Sequence, residues 1–353
     1  GLVVHAGPRR ATTWAGAVLL LFGVVAQRQF WDESLLYFSH NRFHSAQELE
    51  KARNSRFIVD QFKGSQDVFA IIHRNGIPFF FINGYVSFPL SSVSETMVGA
   101  LSAAFAPDTD EALVLGVASG ATASTVGLIF DHVDAVEINA VMLKNLFRMA
   151  EYNFDIENLP SVNLVHDDGI RFIKTTGKKY SLIVNSVSKP IYFLSSKLYT
   201  RDFLESVSSR LKPDGVYTTW LSRSTGDRGI DIILETLKGT FENCWLTYLK
   251  SSYYLLVCSN AIIAPASLGK VVDNVRLRSY LAQRHTLPID LIRYSVLSTD
   301  AYTLRSREVA PVNTLDFPVL EHEMTRLDHD LTRIRGFKQL LIDRLDLSNV
   351  RDA

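Results

Sequence analysis

Cysteine is almost absent. The 353 residues hold two, Cys244 and Cys258, too few for a disulfide framework. The expectation is a pair of buried thiols, although they flank a hairpin centred near Ser251 that sets them opposite one another, which keeps a bridge open as the alternative. An excess of either charge is also missing: 37 basic and 37 acidic side chains cancel. That excludes a global field drawing the chain to nucleic acid or anionic lipid. No internal repeat or low-complexity tract occurs, so a repeat architecture is excluded. Residues 1–31 lack any acid, though they carry Arg9, Arg10 and Arg28, and Ala11 to Gln27 lacks charge altogether. A helix over 11–27 would be about 25 Å long, the short limit for a bilayer span with Arg10 and Arg28 reaching the headgroups. We read 1–30 as a leader with a single transmembrane helix, against a buried core helix or a signal-like segment. The start at Gly1 reads as a processed or truncated N-terminus. The acid-free leader fits mitochondrial import, so a mitochondrial or bacterial inner membrane is the expected location.

What is present is organised around Ala112 to Asn139, ALVLGVASGATASTVGLIFDHVDAVEIN. The apolar run Ala112 to Leu115 shows no alternation, as in a parallel strand buried on both faces. Gly116 and Gly120 mark a tight turn, where glycine lets the backbone turn sharply and approach a ligand. A helix from about Thr122 to Phe130 then aims its first N–H groups at the same spot. Val133 to Ile138 is the next strand, and Glu137 near its carboxyl end stands where such folds hydrogen-bond a ribose. Strand, glycine turn, helix, strand and acid in that order form a nucleotide-site scaffold.

From Trp31 to about residue 92 the texture is that of a small antiparallel β-domain, with strands at 55–62, 68–74 and 78–88 separated by turn signals. Residues 93–260 read as an α/β domain. Its elements are helices at 94–106, 140–152, 170–175 and 197–211, strands at 162–166, 180–184 and 215–221, and a final hairpin at 244–249 and 253–259. This is the order of a seven-stranded methyltransferase-like Rossmann sheet with an antiparallel last strand. Residues 261–353 read as a helical extension, in which Met324, Leu327, Leu331, Ile334, Phe337, Leu341 and Leu345 recur at helical spacing.

Several motifs together resemble the spermidine synthase-like proteins, especially the branch fused to membrane helices. They are the NG of Phe81 to Gly84, LGVASGAT, VEIN with Glu137, DDGIRFI with Asp168, YSLIVNSVSKP, LYTRDF from Leu198, LKPDGVYTTWL, and APVNTLDFPVLEHE from Ala310 to Glu323. The resemblance implies aminopropyl transfer from decarboxylated S-adenosylmethionine to a diamine, or a relative of that reaction. It places Gly116, Ala118, Gly120, Glu137 and Asp168 around an S-adenosylmethionine-type nucleoside, Glu137 on the ribose and Asp168 on the adenine. The departures are specific. Ala118 replaces the central glycine of the turn and brings a Cβ where the ligand needs space. Where the family carries DSSD, this chain has Ser186, Val187, Ser188 and Lys189, so the acid that takes the amine's proton is gone and a cation stands beside it. A gap-free reading puts Ser87, Ser92, Val93, Thr96, Met97 and Val98 at the family's diamine positions, leaving none of its carboxylates or aromatics there.

Other constellations are weaker. His40 and His44 share a helical spacing but have no third ligand nearby in sequence. Asp167 is expected in solvent and Asp168 toward the pocket. Ser186 and Ser188 lack a triad's histidine and acid, and Phe79 to Phe81 lack the basic residues of a nucleic-acid platform. The expectation is a catalytically degenerate, membrane-anchored accessory subunit with protein partners, or a homodimer through the β-domain, that uses no metal. The alternatives are an active aminopropyl- or methyltransferase and a nucleoside sensor.

Overall fold

The structure, a computed structural model, describes residues 58–63, 68–74, 76–82, 85–190, 195–222, 225–249, 253–286, 296–298 and 309–326, with a few isolated positions before residue 48. His40, His44, the NG turn at 83–84, most of 11–27 and the helical pattern beyond 326 lie outside the described residues. No helix among the described residues is long and apolar enough to cross a membrane. The chain forms two compact units, Gly1–Pro89 and Leu90–Ala353.

The first unit holds a four-stranded antiparallel sheet in the order β1 (Ile58–Lys63), β2 (Val68–Arg74), β3 (Ile77–Ile82), β4 (Tyr85–Pro89). The single strand expected over 78–88 is two, β3 and β4. Phe62, Phe69 and Phe80 stack along one face at centroid distances of 5.4 and 6.1 Å, while Ala70, Ile72 and Phe81 cluster separately, as period-two geometry requires.

The second unit is built on an eight-stranded sheet. Its strands are β5 (Glu111–Leu115), β6 (His132–Glu137), β7 (Val162–His166), β8 (Tyr180–Asn185), β9 (Leu211–Ser222), β10 (Asn243–Leu249), β11 (Tyr253–Ser259) and the short edge strand β12 (Val296–Ser298). The order is β12-β10-β11-β9-β8-β5-β6-β7. Strands β5 to β9 run parallel and β11 enters antiparallel between β9 and β10. The methyltransferase-like expectation therefore holds, with one short strand added at the edge. Strand order reverses between β5 and β8, the switch point outside which ligands sit in such sheets.

Helices α1 (Ser94–Ala104) and α2 (Ala121–Gly127) pack closely together. Gly99 permits that approach, since a Cβ there would lie 2.7 Å from the Thr122 carbonyl oxygen and 2.8 Å from Thr125 Cβ. Backbone cannot yield as a side-chain tip can. Gly99→Val should therefore cost about 3 kcal/mol of stability by overpacking, measurable as a lower urea midpoint at unchanged slope.

The helix expected over 140–152 is instead α3 (Ala140–Leu143), capped by Asn139, followed by 3-10 turns at 146–149 and 156–158. The α-helix ends at Leu143, and Asn145 leaves helical geometry at φ −121° and ψ 10° before the first 3-10 turn; Phe154 and Asp155, at positive φ angles of 56° and 57°, lead into the second. The remaining helices are α4 (Gly169–Thr175), α5 (Arg201–Arg210), α6 (Gly226–Lys238), α7 (Leu268–Asp273), α8 (Val275–Gln283) and α9 (Val319–Arg326). Of these α6 escaped the sequence reading. Its Ile230, Ile233 and Leu237 join Phe203, Leu204 and Val207 of α5 in the core over one sheet face.

The motif Ala310 to Glu323 is a structural strap. Asn313 is fully buried; its Nδ2 donates to the Tyr199 carbonyl at 3.0 Å, its Oδ1 accepts from Leu320 N at 3.1 Å, and its backbone N–H donates to Thr236 Oγ1 at 3.0 Å. Leu320 and Met324 then enter the core, so the described start of the C-terminal helix packs on its own domain. Cys244 and Cys258, directly opposed across β10 and β11, form a disulfide with a Cα separation of 4.1 Å, where two thiols were expected.

Candidate functional site

The candidate site lies at the carboxyl ends of β5, β6, β7 and β8. Extended backbone ends at Leu115, and Gly116, Ala118 and Gly120 all adopt positive φ, at 85°, 47° and 88°. Glycine takes this region freely, whereas Ala118 holds it with a Cβ in place. The turn is fixed from three sides. Ser186 N donates to the Leu115 carbonyl at 2.9 Å, and a Cβ on Gly116 would lie 3.0 Å from Val187 Cγ2. Behind Gly120, buried Asn153 donates to the Ser119 carbonyl at 2.9 Å. Across the strand ends, Glu137 Oε2 accepts from Val117 N at 2.9 Å and Ala118 N at 3.2 Å, while Oε1 accepts from Asn139 N at 3.0 Å. Three backbone N–H groups thus orient the carboxylate that the sequence marks for a ribose.

Asp168 stands one strand further, after β7, whose His166 pairs in register with Glu137. It is exposed and caps α4, Oδ1 accepting from Ile170 N at 2.7 Å and Arg171 N at 3.1 Å. Asp167 is not the solvated partner the sequence suggested. Its side chain is 15% exposed and pairs with Arg171 at 2.5 Å.

At the end of β8 the backbone of the Ser186 to Lys189 stretch is tied down. Trp220 Nε1 donates to the Ser186 carbonyl at 2.7 Å, the Tyr199 hydroxyl donates to the Val187 carbonyl, and Ser222 N donates to the Ser188 carbonyl at 2.9 Å. Lys189 is half-buried and burial lowers its ammonium below the usual lysine range. Among the described residues no carboxylate pairs with it.

One acid does reach the turn, and sequence reasoning passed over it. Glu95 on α1 is buried, and the Ser119 hydroxyl donates to its Oε2. Burial pushes its carboxyl up to about 7, against the opposing Ser119 bond. Burial, and then the Glu95 charge, raise the Tyr253 hydroxyl, and Tyr253 lies against Trp220 at 4.7 Å. The turn therefore has a buried carboxyl at Ser119 and, at Gly116, the Ser186–Val187 backbone that continues to Lys189. Among the described residues no group of His, Cys, Asp and Glu could hold a metal. A cavity of about 310 Å³ between Lys179, Lys212 and Asn260 opens at the amino ends of the parallel strands, away from the turn.

Comparison with known proteins follows the same residues. The spermine/spermidine synthase domain family matches residues 91–245, which span the turn, Glu95, Glu137, Asp168 and Lys189. The chain carries a spermidine synthase-like domain. The polyamine aminopropyltransferase of Sulfolobus acidocaldarius is 30% identical over 184 residues, covering 48% of this chain and 60% of that protein. Putrescine N-methyltransferase 2 of Nicotiana tabacum is 32% identical over 127 residues, 33% of this chain and 35% of that protein. The match therefore spans less than two thirds of either relative. Among solved structures, spermidine synthase in complex with the transition state analogue AdoDATO superposes with a TM-score of 0.52 at 12% identity, covering 80% of this chain and 88% of that one. At that identity the likeness is one of fold. In this spermidine synthase-like domain Gly116, Gly120 and Glu137 come together, and the stretch that begins at Ser186 adjoins them, Ser186 N donating to the Leu115 carbonyl.

Proposed function

We propose that this spermidine synthase-like protein has lost aminopropyl transfer and serves as an accessory subunit of a membrane complex. The observation that carries the reading is the half-buried Lys189 at the end of β8 with Ser186 in place of the acid. In aminopropyl transfer an amine nitrogen attacks the methylene carbon beside a sulfonium: a C–N bond forms, the C–S bond breaks and a neutral thioether leaves. The attacking amine must first give up a proton, and a carboxylate must hold it in line. Neither serine can serve as that base, and an ammonium at Lys189 repels a dicationic acceptor. The accessory role is supported by the described fragment Val18 to Leu21, four consecutive helical residues exposed by 61 to 73%. Such a helix, apolar all round, suits lipid or another apolar chain better than water. Detergent extraction followed by native sizing is the test. The expected result is a membrane-derived particle larger than a homodimer; a chain released without detergent as monomer or homodimer would overturn it.

Glu95 favours a second reading, a working nucleoside-dependent transferase. A buried carboxyl near 7 lies in the range suited to a general base. Transfer of a methyl group, which runs largely on positioning, would ask less of the missing acids.

A further inference from the structure

Two titratable groups stand on the elements that border the glycine turn, each without a charged partner among the described residues. On the Ser119 side stands Glu95, buried on α1 and bonded to the Ser119 hydroxyl. Lys189 is half-buried and follows by two residues Val187, whose methyl closes on Gly116. Neither is in an ion pair among the described residues, and burial disfavours the charged form of each. Opposite charges held apart in this way are costly unless a ligand brings the complementary pair.

We propose that the turn holds the zwitterionic amino-acid arm of a nucleoside, with the α-carboxylate on Lys189 and the α-ammonium on Glu95, so that a carboxylate-bearing nucleoside is selected over its decarboxylated counterpart. A ribose held by Glu137, two residues before Asn139 at the mouth of the same turn, directs the 5′ substituent toward the gap between β5 and β8. An arm with both charges neutralises both side chains. A decarboxylated arm carries only an ammonium; it satisfies Glu95 and sets a second cation before Lys189. This selection rests on the retained nucleoside scaffold and not on the loss of turnover, so the two stand or fall separately.

The test is equilibrium binding of S-adenosylmethionine, its decarboxylated form and methylthioadenosine, which has no charged arm, to the full chain and to its Lys189→Asp variant. The wild type should bind S-adenosylmethionine at least about tenfold tighter than the decarboxylated form, and Lys189→Asp should abolish or reverse that ratio. Methylthioadenosine should bind both proteins alike, which separates lost selection from a failed fold. Glu95→Gln should weaken both armed ligands while keeping the wild-type ratio. Equal affinities, a wild-type preference for the decarboxylated form, a ratio untouched by Lys189→Asp, or no binding of any nucleoside would overturn the proposal. A transfer assay on the same samples would report on the loss of turnover independently.

Discussion

Replacing Glu95 with glutamine stabilises the protein above neutral pH and leaves it nearly unchanged in acid. The buried carboxyl has its pKa raised from 4.5 to about 7, so the native state binds this proton more tightly than the unfolded chain does. Stability from that proton is fully present below the unfolded value and is lost as the pH rises through the folded one. Each unit of pKa is about 1.4 kcal/mol, so the ionised wild type gives up roughly 3 kcal/mol by about pH 8. Glutamine still offers the Ser119 hydroxyl an acceptor and carries no charge at any pH. Urea denaturation at about pH 8 and about pH 4 checks this. A stabilisation equal at both values, or none at the higher one, would show that Glu95 is not the desolvated acid described.

Asn313→Ala should destabilise the second unit by about 3 kcal/mol. One side chain links the carbonyl of Tyr199, the N–H of Leu320 and, through its own backbone, Thr236 and Arg201 N. Alanine removes the side-chain partners and leaves buried polar groups unpaired, which costs more than the net worth of the bonds. The strap also bears on the site, because Tyr199 donates to the Val187 carbonyl beside the glycine turn. Thermal denaturation should show the loss, and nucleoside binding by the folded fraction should weaken. A change under about 1 kcal/mol would mean that water replaces the asparagine.

The glycine turn and Glu137 were legible because each carries a local signal: unalternated apolar residues before the turn, glycines four apart within it, and an acid at a strand end. Glu95 carried none. Every residue of α1 is buried, so helical periodicity sets no inward face against an outward one, and a gap-free reading from the NG turn stepped past it. The choice between Asp167 and Asp168 was likewise beyond composition. Backbone geometry at the start of α4 decides which acid caps the helix and which pairs with Arg171. The hairpin register of Cys244 and Cys258 was readable, and the bond between them was not, since opposition across strands fixes proximity and not redox state. The helix expected over 140–152 stops at Leu143, because the backbone leaves helical geometry at Asn145, whose φ is −121° and ψ 10°, and a single asparagine in an otherwise helical pattern does not announce that.

The function proposed above keeps the nucleoside scaffold and gives up aminopropyl transfer. Its most direct measurement is release of methylthioadenosine by the purified full chain supplied with decarboxylated S-adenosylmethionine and putrescine. Release no faster than the uncatalysed background is expected, because neither Ser186 nor Lys189 offers a carboxylate to take the amine's proton. Turnover on the order of one per second, within the ordinary enzymatic range, would contradict it and make Glu95 the first residue to test as the base.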